Sequence, residues 1–162
     1  MSDICKNDNY YCVFIYLKLT KENKMSDKGL TFADACGYVL VFICGADGEF
    51  TEDETKSAIG ILAELMIHFD ADQDGDGDVD VDDLDKSWKA ACDTYFNAES
   101  GEERVDWLLS CSVFLGELLG ADNKSVFVDR LKGLIAADGN VSAHEDKVVK
   151  FVDELMSAGA DA

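Results

Sequence analysis

Between residues 72 and 83 the chain reads DQDGDGDVDVDD, with aspartate at nearly every second position, glycine at 75 and 77 and valine at 79 and 81. Carboxylates so spaced suit one kind of chemistry, the gathering of a hard, oxygen-seeking cation, provided the backbone bends enough to bring them to one point. A twelve-residue EF-hand-like loop numbered from Asp72 puts Asp72, Asp74 and Asp76 at its first, third and fifth positions and Gly77 at the sixth, where the sharp turn is needed. Asp78 then offers its backbone carbonyl at the seventh position, Val79 fills the apolar eighth, and Asp80 stands at the ninth, where ligation often runs through water. Asp83 closes the loop at the twelfth. These six aspartates are the candidate metal ligands and Ca2+ is the expected ion. Asp83 is one methylene shorter than the usual glutamate, which makes Mg2+ a competitor. At about 4 Å and an effective dielectric near 20, each pair of like charges costs on the order of 4 kcal/mol before screening, so the empty loop is expected to be loose. The plainer alternative is a solvated acidic linker, but linkers rarely put glycine and valine at the sixth and eighth positions between two apolar-striped helices. No complete second loop exists for Val79 to pair with, which argues against a two-loop sensor.

Two further acidic turns repeat part of this pattern. ADGEFTEDETK at 46–56 matches ADGNVSAHEDK at 137–147, and each follows an apolar run and precedes an amphipathic one. Asp-Gly ends the first helix of each hairpin, and Phe50 or Val141 is expected to anchor the turn. Thr51 and Ser142 then cap the next helix, with Glu54 and Glu145 completing capping boxes. Asp47 to Glu54 and Asp138 to Glu145 fit the second halves of EF-hand loops, but Ile43 and Gly45, or Leu134 and Ala136, occupy the first and third positions. These four acids have two readings: helix caps, or an open acidic site for a cation or a partner.

The elements that must carry these turns are helical. Proline is absent, and apolar residues recur at helical spacing. Residues 32–45 are apolar on almost every face, as in a central buried helix. Residues 56–69 place Ile61, Leu62, Leu65, Met66 and Phe69 on one stripe, and Leu84, Trp88, Ala91, Cys92, Tyr95 and Phe96 repeat it after the acidic stretch. Ser100 and Glu103 form a capping box opening a helix to about 120, with two more around 124–137 and 144–157. The reading is an all-α bundle of about six to seven helices built from two related hairpins and one EF-hand-like loop. Its domain spans 31–157, and the tail 158–162 is frayed. Leu40 with Leu131, and Ile43 with Leu134, are matched positions that should all be buried.

Composition narrows function. With 162 residues and 48% hydrophobic content the chain can bury a core, and 14 basic against 34 acidic residues leave a net charge of −20. Such a charge repels nucleic acid and anionic lipid and favours divalent cations or basic partners. Six cysteines without a CxxC spacing read as buried thiols in a reducing cytoplasm. YYCVFIYLKL at 10–19 is too short to span a bilayer and lacks a basic start and a cleavage site, so no signal peptide and no membrane insertion are expected. MSD recurs at 25–27. Residues 1–30 therefore read as an N-terminal extension, with natural translation expected to start at Met25.

On CGADGEFTEDE and IAADGNVSAHED the sequence resembles the tellurite-resistance TerB family, whose TerB-like domain also accompanies some J-domain cochaperones. The resemblance covers roughly residues 31–157. It implies a compact helical bundle without catalytic activity, an acidic surface associated with metal, and a place in a stress-response system with calcium-binding partners. Asp47, Glu54, Asp138 and Glu145 are the acidic positions that carry over. His144 stands where the first copy has Asp53, and the full calcium loop between the halves departs from the family pattern.

No nucleophile or metal-ligand partner stands at recognisable spacing from His68 or His144, and no phosphate-cradling or zinc-binding spacing occurs. The expected protein is a non-enzymatic, metal-binding interaction module of TerB type, docking a basic or calcium-bridged protein partner. Direct oxyanion binding is unfavourable at this charge. The competing reading is a stand-alone calcium buffer or single-loop sensor.

Overall fold

A computed structural model of the chain describes residues 30–137, 139 and 141–160. The N-terminal extension up to residue 29, the Met25 start, Cys5 and Cys12, and the candidate ligand Asp138 all lie outside the described residues. The described chain is all-helical, with no strand: α1 (Phe32–Cys44), α2 (Glu52–His68), α3 (Val81–Phe96), α4 (Gly101–Ile135) and α5 (Ala143–Ala160). None of these helices is long and apolar enough to cross a membrane.

The core follows from α1. Its all-round apolar sequence leaves no face that can be given to water, and Ala33 and every residue from Ala35 to Cys44 are buried. α2, α3 and α4 pack around it, while α5 makes its largest interface with α4. Leu40, Leu131, Ile43 and Leu134 are all buried, as the matched hairpins require. Cys36, Cys44 and Cys111 are buried free thiols, and Cys92 is half-buried.

The two Asp-Gly turns share one backbone pattern. In the first turn the Gly45 N–H donates to Val41, Ala46 to Ile43 and Gly48 to Gly45, and in the second Ala136 donates to Lys132, Ala137 to Leu134 and Gly139 to Ala136. Gly48 and Gly139 both adopt positive φ, 88° and 78°, a conformation that a side chain would strain.

Among the described residues there are five helices, where six to seven are expected. The expected helices ending near 120 and spanning 124–137 run on as one element interrupted at Gly120, whose φ of 68° and ψ of 175° are not helical, so the expected boundary stands and only the intervening turn is missing. A single glycine kinks the path there, so no connecting loop is needed. α5 continues to Ala160 instead of giving way to a tail at 158. The Ser100 cap is also only half of the expected box: Ser100 accepts the Glu103 N–H, but Glu103 Oε2 reaches the Glu99 N–H at 2.7 Å. Val141 is 52% exposed and does not anchor its turn, whereas Phe50 packs on Tyr95 and Phe96.

α4 and α5 cross closely because Gly116 has no side chain; a Cβ there would overlap the backbone of Met156. Gly133, on the second limb of α4, faces open space. In urea melts Gly116→Ala is expected to lose about 1–3 kcal/mol through steric overlap. Gly133→Ala should gain about 0.5–1 kcal/mol through reduced backbone entropy in the unfolded chain.

Candidate metal centres

The loop between α2 and α3 is held at both ends. α2 terminates with Asp70 in a left-handed conformation, φ 51°, and the Ala71 N–H donates back to the Met66 carbonyl at 2.8 Å. This is the hydrogen-bond pattern of a Schellman close, with aspartate in the place more often taken by glycine. α3 begins with Asp80 as its N-cap, whose Oδ1 accepts the N–H groups of Asp82 and Asp83.

Within the loop Asp72, Asp74 and Asp76 converge, offering ligand oxygens that lie within 4.8 Å of one another. Backbone donors hold them there. Asp72 accepts the N–H groups of Gly77 at 2.8 Å, Gly75 at 2.7 Å and Asp74 at 3.1 Å. Asp74 accepts from Asp76, and Asp76 from Asp78. The Gly77 N–H, followed by that of Gly75, pulls the Asp72 carboxyl below its ordinary value. Asp74 receives the Asp76 N–H, which acts in the same direction, but desolvation and the charges of Asp76 and Asp83 outweigh it and leave Asp74 raised. These donors offset part of the repulsion that alone would loosen the loop.

The side chains of Asp78, Asp80 and Asp83 are not grouped with the first three, the expected ligand atom at Asp78 being its backbone carbonyl rather than its carboxylate. Asp78 is exposed, and Asp80 is engaged as the cap of α3. Asp83, 1% exposed, accepts the N–H groups of Gln73 at 2.9 Å and Asp74 at 3.1 Å on one oxygen and that of Asp80 at 3.1 Å on the other. Its shorter side chain thus ties the two ends of the loop together. Gln73, which stands at no ligand position of the loop, links the loop to the fold: its side-chain oxygen lies 3.1 Å from the Thr31 hydroxyl and its carbonyl accepts from Lys86.

The second acidic site joins the two hairpins. Asp47 and Glu54 from the first turn and Glu145 from the second place ligand oxygens within 4.8 Å of one another. Both glutamates also complete their capping boxes: Thr51 N–H to Glu54 at 3.5 Å, and Ser142 N–H to Glu145 at 2.8 Å. Capping and convergence are therefore compatible, because the same cap orients each glutamate inward. Glu54 is only 5% exposed and Glu145 only 4%. None of the ion pairs among the described residues involves Asp47, Glu54 or Glu145. Desolvation, with the charges of Asp47 and Glu145, raises the Glu54 carboxyl above its ordinary value against the opposing bonds from Thr51. The site also borders Cys44, whose thiol burial, reinforced by the charges of Glu54, Cys92 and Glu145, pushes up to about 12.

Both donor sets fit a hard divalent cation, being all oxygen and anionic, and Cys44 adds no thiolate at neutral pH. In the loop, Asp72, Asp74 and Asp76 would hold the ion; between the hairpins, Asp47, Glu54 and Glu145 would. A cation supplies charge neutralisation at either place, and the chain supplies convergence. Comparison with protein-family models, curated proteins and solved structures returns no match for this chain.

Two outcomes follow. Asp83→Ala should destabilise the metal-free protein by about 3 kcal/mol in urea melts, since three backbone N–H groups lose a charged acceptor. For Glu54 the folded pKa is raised, so its contribution favours folding below the unfolded value and is lost as pH rises through the folded one. The melting temperature of Glu54→Gln relative to the unmodified protein should therefore climb as pH increases from 4 to 7 in chelator. A pH-independent difference would show that the carboxylate carries no such strain.

Proposed function

We propose that the chain is a non-enzymatic, acidic interaction module of TerB type, acting in tellurite or other stress resistance. In this reading it binds Ca2+ through the loop at Asp72, Asp74 and Asp76 and docks a protein partner with a basic or calcium-bridged surface. The observation that carries the reading is the convergence of Asp47, Glu54 and Glu145 from both hairpins. A calcium loop alone has no use for a second carboxylate cluster with two buried glutamates, whereas a two-hairpin module built around a cation does. Burying like charges without a counter-charge is costly, so such a cluster favours whatever cation reaches it.

A stand-alone calcium buffer or single-loop sensor is the second reading. It is favoured by the self-sufficiency of the loop, whose Asp72 takes its three N–H donors from the loop itself. Partner capture by Asp72→Ala and Asp74→Ala, compared with Asp47→Ala and Glu54→Ala, separates the two. Loss only in the first pair favours the buffer or sensor; loss in the second pair favours the module.

A ligand that binds only the folded form stabilises by about 2.7 kcal/mol at a hundredfold excess over its Kd. Calcium should accordingly raise the melting temperature, with magnesium weaker because it gives up water reluctantly and demands octahedral geometry. In Asp72→Ala the part of the shift due to the loop should vanish. Equal melting in calcium and chelator, with no calorimetric heat, would leave the loop an acidic linker.

A further inference from the structure

Phe96 is 57% exposed and Phe50 37%, yet their ring centroids are only 5.2 Å apart. Both rest against Tyr95, at 5.3 Å and 5.7 Å. Tyr95 is a fixed floor: its hydroxyl donates to the Gly45 carbonyl, Arg104 Nε donates to its carbonyl at 2.9 Å, and the Arg104 guanidinium lies 4.4 Å over its ring. Single exposed apolar residues are ordinary on a protein surface, but two adjoining phenylalanines on a rigid aromatic base form a patch of the kind that anchors partners.

The surroundings state what can sit there. Asp47, Glu49, Glu52 and Asp53 share the turn and helix start that carry Phe50, and Asp93 and Glu99 stand within one helical turn of Phe96 in the chain; all six are exposed. Of the bases near in the chain, Lys56 is paired with Glu52 at 2.7 Å, Arg104 is committed to Tyr95, and Lys89 is exposed two turns before Phe96, so the acids outnumber the bases. The rim is thus apolar at its centre and negative around it. A second copy of a chain with net charge −20 would be repelled from such a face, as would an acidic helix.

We propose that Phe50, Tyr95 and Phe96 form a docking face for an amphipathic, lysine- or arginine-bearing segment of a second protein. Its apolar side chains cover the two phenylalanines and its cations meet the acidic rim. The proposal deepens the interaction-module reading and rests on it for the existence of a partner, but uses none of the metal ligands of the loop.

The test is fluorescence anisotropy of a labelled leucine/lysine amphipathic peptide titrated with the full chain in chelator at physiological salt. A serine/lysine peptide of equal charge and a leucine/glutamate peptide serve as controls. The leucine/lysine peptide should bind at least tenfold more tightly than the serine/lysine one, and Phe96→Ser should remove that advantage. Asp93→Lys, altering only an exposed side chain, should weaken binding several-fold even if Phe96→Ser were to fold poorly. Equal binding of the two cationic peptides, or unchanged binding in a folded Phe96→Ser, would overturn the proposal. So would markedly tighter binding by a chain beginning at Met25, because the face would then belong to the chain's own N-terminal residues. Asp72→Ala should bind the peptide as the unmodified protein does. A calcium response without peptide binding sinks this inference alone, and peptide binding without a calcium response sinks the metal reading alone.

Discussion

The constraint on which the rest of the structure depends is the burial of α1. A helix apolar on every face cannot lie on a surface, so other helices must surround it, and α2, α3 and α4 do. Each fully buried aliphatic side chain contributes roughly 1.5–3 kcal/mol, and this helix buries Val39, Leu40, Val41 and Ile43 in one short run. A consequence is that the C-terminal end of α1 opens its turn against the core. The turn at Asp47 therefore begins next to buried residues, and the cap of the following helix, Glu54, is buried with it.

The molecule holds its carboxylates in two different ways. In the loop, Asp72, Asp74 and Asp76 lie near water, where screening is available and backbone N–H groups point at the oxygens. Between the hairpins, Glu54 and Glu145 are buried and face each other and Asp47, and desolvation leads the causes that raise the Glu54 carboxyl. The first arrangement is tolerable without an ion; the second stores electrostatic strain that a cation would release. The proposed module uses both, with the loop responsive to calcium and the inner cluster linking the two halves.

Much of this was legible in sequence because its causes are local. Helical periodicity, the absence of proline and the Asp-Gly turns fix the all-helical class and the turn positions, and a serine or threonine followed three residues later by an acid reports a cap directly, as at Thr51 and Ser142. The convergence of Asp72, Asp74 and Asp76 is local as well, since alternate residues on a chain bent at glycine meet without help from elsewhere.

What only the tertiary structure decided are the features that depend on distant segments. Sequence spacing makes Asp47 with Glu54, and Asp138 with Glu145, two separate turns; packing of the hairpins brings Glu145 to Asp47 and Glu54 in one cluster. The choice of Asp83 to tie the loop ends depends on where α3 enters relative to Gln73, and a twelve-position template does not contain that geometry. The helix end near 120 could be placed from sequence, but not that the chain resumes helix at once after Gly120, without a turn. Local chemistry determines what each segment can be. Which charged groups must share a space is set by the burial of α1, a property of the whole chain.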